Sequence, residues 1–265
     1  MNAERTGDTA NLDPTARLAL GELLLSMADD EFVIGFSDSE LTGIAPLLEE
    51  DVAMSSLAQD EIGHAKALYE LLAGLLDDGH DADAIAYDRE PPDYRHCRLL
   101  DHPRGDWADT IARRFLYDTA DAVRLEAVAS ASWAPLAELV GKIRREERYH
   151  VMHVGAWLER LALAGGEARV RLEDALERLA PDAATVFAPL RDEAALVAGG
   201  ILAAPMNDLE ARWRTMIGPT FERLRLTPPP PATEPERGRL DHTAAFEWLH
   251  SEFTSVRRLD PAATW

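Results

Sequence analysis

A chain of 265 residues with 46% hydrophobic side chains is long enough to bury a sizeable core. Its formal net charge of −21 argues against nucleic acid as a partner, because binding to phosphates requires clustered lysine and arginine. No apolar stretch reaches the roughly 20 residues of a membrane span, and the N-terminal residues show no signal-peptide pattern, so we expect no membrane contact and a cytoplasmic location.

Helical periodicity begins near the N-terminus. Asp13 and Pro14 are a typical N-cap and first helical residue, and the leucine-rich segment after them predicts a helix to about Phe36. A second helix is predicted over about 46–76. The next stretch, 77–105, is rich in glycine, proline and aspartate and predicts a long excursion with at most short helices. Because its histidines have no helical spacing to a carboxylate, we expect surface or packing roles for His80, His96 and His102.

Two further long helices are predicted after this excursion. Asp106 is an N-cap for the third, and the fourth begins at Pro135 and ends at the Gly165-Gly166 pair. The remaining chain predicts helices over about 167–179, 182–199 and 207–225, a proline-rich linker over 227–237 and an amphipathic helix over 242–258. We expect one all-α domain over 1–265 with its core bundle over about 14–165, because the later pieces are too short to enclose their own core.

A Glu-x-x-His motif occurs twice, from Glu61 to His64 in the second predicted helix and from Glu147 to His150 in the fourth. Residues i and i+3 lie on one face of a helix, so each glutamate and histidine can address the same point in space. A single copy is common in helices rich in glutamate, where an exposed carboxylate beside a packed histidine is the ordinary interpretation. Two copies among bulky apolar residues predict a metal site, because burying that much charge without a cation is costly.

The remaining ligands follow from helix geometry. Ferritin-like bundles bind two metal ions with a Glu-x-x-His pair from each of two helices and a single carboxylate from each of two others. In an antiparallel hairpin, residues equally far from the turn sit at the same height, which selects Glu31 and Asp118 as the single carboxylates. Asp121, one turn from Asp118, and Glu126 remain alternatives. The predicted ligand set is Glu31, Glu61, His64, Asp118, Glu147 and His150.

The ligand types narrow the choice of metal. The only cysteine is Cys97, so the ligands must be oxygen and nitrogen, which suits two irons, with manganese as the alternative. Iron with open positions can bind and reduce dioxygen, so an oxygen-activating reaction is predicted. Asp60 and Glu146 are predicted to accept a hydrogen bond from the far nitrogen of the opposite hairpin's histidine, unless they are solvent-facing charges. We expect Tyr117 and Tyr149 to be packing residues.

Three segments resemble the phenylacetyl-CoA epoxidase family. They are residues 57–64, which contain Asp-Glu-Ile-Gly-His, residues 142–150, which contain Glu-Glu-Arg-Tyr-His, and residues 155–161, which contain Trp-Leu-Glu-Arg-Leu. Together with Trp265 they are most similar to the C-type (PaaC) subunit of that family, over essentially the whole chain. The resemblance implies a ferritin-like four-helix bundle that works in aerobic phenylacetate catabolism, within a multicomponent monooxygenase that epoxidises the aromatic ring of phenylacetyl-CoA.

The same resemblance implies partners and cofactors. The catalytic A-type (PaaA) subunit of the family binds the di-iron centre, a separate reductase delivers electrons, and dioxygen is the co-substrate. The C-type subunit is a structural partner that has lost metal ligands, in a heteromer with a homodimeric core. This chain departs from that pattern because all six predicted ligands are present.

Three interpretations of the departure stay open. The chain is a scaffold that retains an ancestral site, a C-type subunit whose di-iron site functions, or a separate di-iron oxidase or ferroxidase. Arginine is too evenly spread to predict which residues contact an acyl-CoA. The terminal helix, with Trp248 and Phe253, either packs on its own bundle or docks on a partner subunit.

Overall fold

The computed structural model describes residues 12–231 and 237–260. Within these ranges the chain forms α-helices, short 3₁₀ helices and turns and contains no strand, so the all-α prediction is confirmed. Residues 232–236 of the predicted linker, and Trp265, lie outside the described residues. The α-helices in chain order are α1 (Pro14–Ser39), α2 (Leu48–Leu76), α3 (Ala82–Tyr87), α4 (Trp107–Val128), α5 (Ala134–Ala164), α6 (Gly166–Leu179), α7 (Glu193–Ala198), α8 (Met206–Leu224) and α9 (Ala244–Leu259).

Helices α1 and α2 form the first hairpin. The Asp13 side chain accepts hydrogen bonds from the backbone N–H groups of Thr15 (2.9 Å) and Ala16 (3.3 Å), so α1 is capped as predicted. The two helices run antiparallel and approach closely beside Gly35, where an added Cβ would lie 3.0 Å from the Ile62 side chain. A glycine at this point therefore lets α2 lie against α1 next to the first Glu-x-x-His motif.

Helices α4 and α5 form the second hairpin. Asp106 and Asp109 make a reciprocal capping box at the start of α4, with backbone-to-carboxylate distances of 3.0 and 3.2 Å. The rings of Trp107 and Trp157 meet edge to face at 5.2 Å, which joins the start of α4 to the second half of α5. Helix α5 ends at Gly165, whose φ of 67° stops the helix where the sequence predicted.

One predicted helix, over 182–199, is wrong. The chain forms a 3₁₀ helix over Ala180–Phe187, leaves it before Pro189, and enters α7 only after Asp192. Proline cannot donate a backbone hydrogen bond, and Asp192 adopts a left-handed conformation with φ of 55°, so the two segments cannot be one helix. The flanking helices α6 and α8 are present as predicted, and both pack on α4.

The excursion between the hairpins contains only short elements, as predicted: α3 and two 3₁₀ helices, Pro91–Asp93 and Arg98–Asp101. His80 is exposed, whereas His96 is buried. His102 lies 2.8 Å from the carboxylate of Asp182. These are surface and packing roles, as expected.

The C-terminal segment returns to the bundle. Phe253 of α9 packs on Phe32 and Phe36 of α1, with ring centroids 4.9 and 5.3 Å apart. Before α9, the guanidinium of Arg239 donates two hydrogen bonds of 2.9 Å to the buried carboxylate of Asp30. Trp248 is 51% exposed and does not share this packing. Among the described residues, no helix is both long and apolar enough to cross a bilayer.

Candidate metal centre

Four of the predicted ligands converge at one point between the hairpins. Glu31 comes from α1, Glu61 and His64 from α2, and Glu147 from α5. One ligand atom from each lies within 4.8 Å of the others, and all four residues are buried. The i, i+3 spacing of Glu61 and His64 brings both side chains to the inner face of α2, because residues three apart lie on the same face of a helix, about one turn apart.

The imidazole of His64 is oriented by a carboxylate of the other hairpin. Its Nε2 lies 2.7 Å from Glu146 Oε2 and donates its hydrogen there, which leaves Nδ1 facing the cluster. Nδ1 lies 3.2 Å from Glu31 Oε2, 3.6 Å from Glu61 Oε2 and 3.5 Å from Glu147 Oε1. Burial lowers the pKa of His64, but hydrogen bonds to Glu31 and Glu61 outweigh it and raise the pKa to about 12. The cluster therefore favours a positive charge at this nitrogen, either a proton or a metal ion.

His150 has the mirror-image arrangement. Its Nε2 lies 3.3 Å from Asp60 Oδ2 in the first hairpin, and its Nδ1 lies 3.4 Å from Glu61 Oε1 and 3.0 Å from Glu147 Oε1. Burial lowers the pKa of His150, but hydrogen bonding to Glu147 and Glu61 raises it to about 11. Both histidines thus have a carboxylate from the opposite hairpin on the far nitrogen and two or more carboxylates on the near one.

Several buried atoms in and beside this cluster make no hydrogen bond of good geometry among the described residues, although His150 Nδ1 and Glu147 Oε1 face each other at 3.0 Å. An unpaired buried acceptor is rare in folded proteins and costs free energy, so such atoms indicate a missing ligand or ion. Carboxylate and imidazole donors without thiolates suit iron or manganese. The residues therefore fit a metal ion. The unpaired atoms are Glu61 Oε2, Glu147 Oε1 and Oε2, Asp118 Oδ2 and His150 Nδ1.

An arginine that the sequence analysis missed lies in the same site. The guanidinium of Arg114, on α4, donates through Nη1 to Glu61 Oε1 in a very close contact and to Asp118 Oδ1 at 3.1 Å. Its Nε donates to Asp38 Oδ2 at 2.6 Å. Arg114 lies one helical turn before Asp118, a spacing that an exposed helical arginine also has, so the sequence did not single it out.

The charge of Arg114 separates the pKa values of its two carboxylate partners. Burial raises the pKa of Glu61, but the adjacent guanidinium outweighs burial and holds this pKa well below its usual range. For Asp118, burial is the larger effect and raises the pKa to about 8 despite the same arginine. Glu61 is therefore ionised, whereas Asp118 keeps its proton near neutral pH when no metal is bound.

The alternative carboxylates have other partners. Asp121 accepts a hydrogen bond of 2.8 Å from Nε of Arg124, within a buried network that also includes Asp30. Glu126 is exposed and pairs with Arg144 on the surface. Neither carboxylate is part of the four-residue cluster.

The two tyrosines differ from the packing roles predicted for them. The Tyr117 hydroxyl is buried and donates to Glu31 Oε1 at 3.0 Å, so this residue contacts a predicted ligand directly. Tyr149 is 46% exposed. Successive residues of a helix point about 100° apart, so neither tyrosine points the same way as the ligand next to it in sequence. This geometry does not determine whether a tyrosine contacts a ligand on another helix, as Tyr117 does.

A second group of metal-ligating side chains, His96, Asp101 and His242, lies between the excursion and the start of α9. His96 contacts one Asp101 oxygen closely, and the backbone N–H of Thr243 donates to the other at 2.9 Å. His242 donates from Nε2 to the Tyr94 carbonyl at 3.0 Å. Hydrogen bonds therefore already satisfy Asp101, and the group ties α9 to the excursion.

A groove of about 770 Å³ lies between α4, α5 and α8. Glu147 of the cluster lines it, together with four arginines: Arg144, Arg145, Arg148 and Arg212. Three of these come from one helix and the fourth from α8, so only the packing of the helices brings the charges together. The groove has the charge that an anionic ligand requires.

One known protein family matches this chain over its whole length. The chain matches the model of the phenylacetic acid catabolic protein family over residues 1–265. The chain belongs to this family. It is 26% identical over 242 residues to the C subunit of the 1,2-phenylacetyl-CoA epoxidase of Escherichia coli (strain K12), which is 91% of this chain and 97% of that protein. It is also 26% identical over 191 residues to the A subunit of the epoxidase from the same organism, which is 71% of this chain and 61% of that protein.

Proposed function

We propose that the chain is a subunit of a multi-subunit 1,2-phenylacetyl-CoA epoxidase of aerobic phenylacetate catabolism, in which it pairs with an A-type subunit. The observation that carries this proposal is the match to the C-type relative, which covers 97% of that protein, whereas the match to the A-type relative covers 61% of that protein. The chain therefore takes the C-type position in the complex.

The first candidate role in that complex is structural, and Arg114 supports it. Dimetal sites of ferritin-like proteins use carboxylates from four helices around two ions. Here a buried guanidinium contacts two of those carboxylates, Glu61 and Asp118. In this role the chain stabilises the A-type subunit, which carries out the oxidation.

The second candidate role is catalytic, and the unpaired ligand atoms favour it. A metal site in this role would supply oxygen activation, with dioxygen as co-substrate and electrons from a separate reductase. The arginines of the groove beside Glu147 would bind the phosphates of phenylacetyl-CoA. Two irons, or manganese in their place, would be held by Glu31, Glu61, His64, Asp118, Glu147 and His150.

Co-expression with an affinity-tagged A-type subunit tests the subunit proposal. The untagged chain is expected to co-elute with the A-type subunit and to run with it as one heteromer in size-exclusion chromatography with light scattering. Separate elution of two folded proteins overturns the proposal. Oxidation of ferrous iron by the chain alone, without such pairing, supports the stand-alone oxidase instead.

Glu147→Gln separates the two roles, because it removes the charge of a predicted ligand and keeps its shape, including an oxygen that faces His150 Nδ1 at 3.0 Å and His64 Nδ1 at 3.5 Å. In the reconstituted complex, a structural role predicts unchanged turnover of phenylacetyl-CoA, and a catalytic role predicts loss of turnover. Glu138→Gln, at an exposed position of the same helix, is the matched control. Co-elution with the A-type subunit shows that each variant still assembles.

A further inference from the structure

Arg114 is held in the core from three helices. Its side chain is fully buried on α4, and its partners are Asp38 of α1, Glu61 of α2 and Asp118 of α4. The hydrogen bond from Nε to Asp38 fixes the guanidinium from one side and those from Nη1 fix it from the other. Arg114 therefore cannot leave the site without stranding charges in the core.

The position of the guanidinium relative to Glu61 is decisive. The Oε2 atom of Glu61 faces His64 at 3.6 Å, on the side of the four-residue cluster. The Oε1 atom faces His150 at 3.4 Å, on the other side. Arg114 contacts Oε1, and it also contacts the Asp118 carboxylate. The guanidinium thus uses one oxygen of Glu61 and one of Asp118 that a second ion would need, and leaves Asp118 Oδ2 and His150 Nδ1 as the unpaired atoms on this side.

Electrostatics opposes a second ion at this point. A divalent ion there would lie beside a permanent positive charge among buried side chains, and the repulsion between like charges is strong at low dielectric. The cluster of Glu31, Glu61, His64 and Glu147 lies on the opposite side of Glu61 and keeps its unpaired oxygens. The two halves of the predicted dimetal site are therefore unequal.

We infer that the guanidinium of Arg114 takes the place of a second metal ion, so that this chain binds one divalent ion, held by Glu31, Glu61, His64 and Glu147. The inference deepens the proposed function, because it replaces the two ions of the catalytic role by one, and it rests on that metal site and not on the pairing with an A-type subunit. In this arrangement Asp118 pairs with Arg114, and His150 contacts the carboxylates of Asp60 and Glu147. Neither residue binds a metal ion.

Manganese loading tests the inference on the full-length chain. The purified protein is loaded with excess Mn²⁺, freed of unbound metal, and measured for manganese per chain by elemental analysis and for its electron paramagnetic resonance spectrum. Wild type is expected to hold one Mn²⁺ with the six-line signal of an isolated ion. Arg114→Met, which removes the charge at similar length, is expected to hold two, with the broadened spectrum of a coupled pair.

Two further variants are controls for charge and position, and the wild-type count of one ion still tests the inference if Arg114→Met fails to fold. Arg114→Lys retains a positive charge and is expected to stay at one ion. Arg113→Met removes a buried neighbour that pairs with Asp38 at 3.5 Å but contacts neither Glu61 nor Asp118, and it is also expected to stay at one ion.

Any of three counts overturns the inference: no manganese in the wild-type chain, two manganese ions in the wild-type chain, or one manganese ion in folded Arg114→Met. A count of two in Arg113→Met also contradicts it, because the effect would then not be specific to the guanidinium at Glu61. Co-elution with the A-type subunit is measured separately, so a failure of the metal count is distinct from a failure of the subunit proposal.

Discussion

Replacing Glu146 by glutamine is expected to weaken metal binding without unfolding the chain. Glu146 Oε2 lies 2.7 Å from His64 Nε2, a distance typical of a charge-assisted hydrogen bond, and it fixes the ring so that Nδ1 faces the cluster. Carboxylates in this position typically contribute 10- to 100-fold, or about 1.4–2.7 kcal/mol, to metal affinity. Because the Glu146 side chain is 55% exposed, solvent screens the interaction and the lower end of that range, about tenfold, is expected.

The matched control is Asp60→Asn. Asp60 accepts from His150 at 3.3 Å, as Glu146 does from His64, but His150 is outside the four-residue cluster. Affinities for Mn²⁺ measured by isothermal titration calorimetry should fall about tenfold for Glu146→Gln and change by less than about threefold for Asp60→Asn. Equal losses in the two variants would refute the reasoning, because both histidines would then be metal ligands.

Three further predictions concern stability without metal. Burial raises the pKa of Asp118 to about 8, so the folded state binds a proton that the unfolded state releases above its pKa near 3.8. Urea unfolding in EDTA should therefore show wild type losing stability relative to Asp118→Asn as the pH rises from 4 to 8, and a flat or opposite trend contradicts this. Gly35→Ala should lower the free energy of unfolding by about 1–3 kcal/mol, because the new Cβ would press on α2 at 3.0 Å. Gly63→Ala is the control, because its added Cβ would have no atom within 4 Å. It should leave the free energy of unfolding unchanged or raise it, as measured by the same urea unfolding. Arg239→Met should cost about 1.5–3 kcal/mol, because Asp30 loses its hydrogen bonds from Arg239 and keeps its ion pair with Arg124, and unchanged hydrogen exchange in α9 would argue against a role of Arg239 in anchoring that helix.

The sequence by itself determined the features that depend on residues close together in the chain. The Asp13 cap, the box at Asp106 and the stop at Gly165 set three helix ends, and the structure has all three. The spacing inside each Glu-x-x-His motif put both side chains of a pair on one face. These features are local because a cap or an i, i+3 pair involves only one turn of helix.

The sequence also predicted which residues lie at the same height within each hairpin. Equal distance from a turn selected Glu31 opposite Glu61, and the structure brings both into the four-residue cluster with Glu147. The same argument selected Asp118 and left Asp121 and Glu126 as alternatives, and the structure places Asp118 beside Glu61, with Arg114 between them. Hairpin geometry fixes the height of a residue along a helix but not the partner that its side chain meets.

Only the tertiary structure decided which charges face each other. The spacing of Arg114 and Arg124 within α4 does not distinguish them from surface arginines. Both are nevertheless fully buried, and they pair with the acidic residues Asp38 and Asp30 of α1. Tyr117 reaches Glu31 on another helix, and three arginines of α5 join one of α8 in a single groove. These contacts depend on the rotation of each helix about its axis and on the way that separate helices pack. Neither quantity is set by residue spacing within one helix, which is why the sequence predicted the glutamates and the histidine that meet in the cluster but not the arginine beside them.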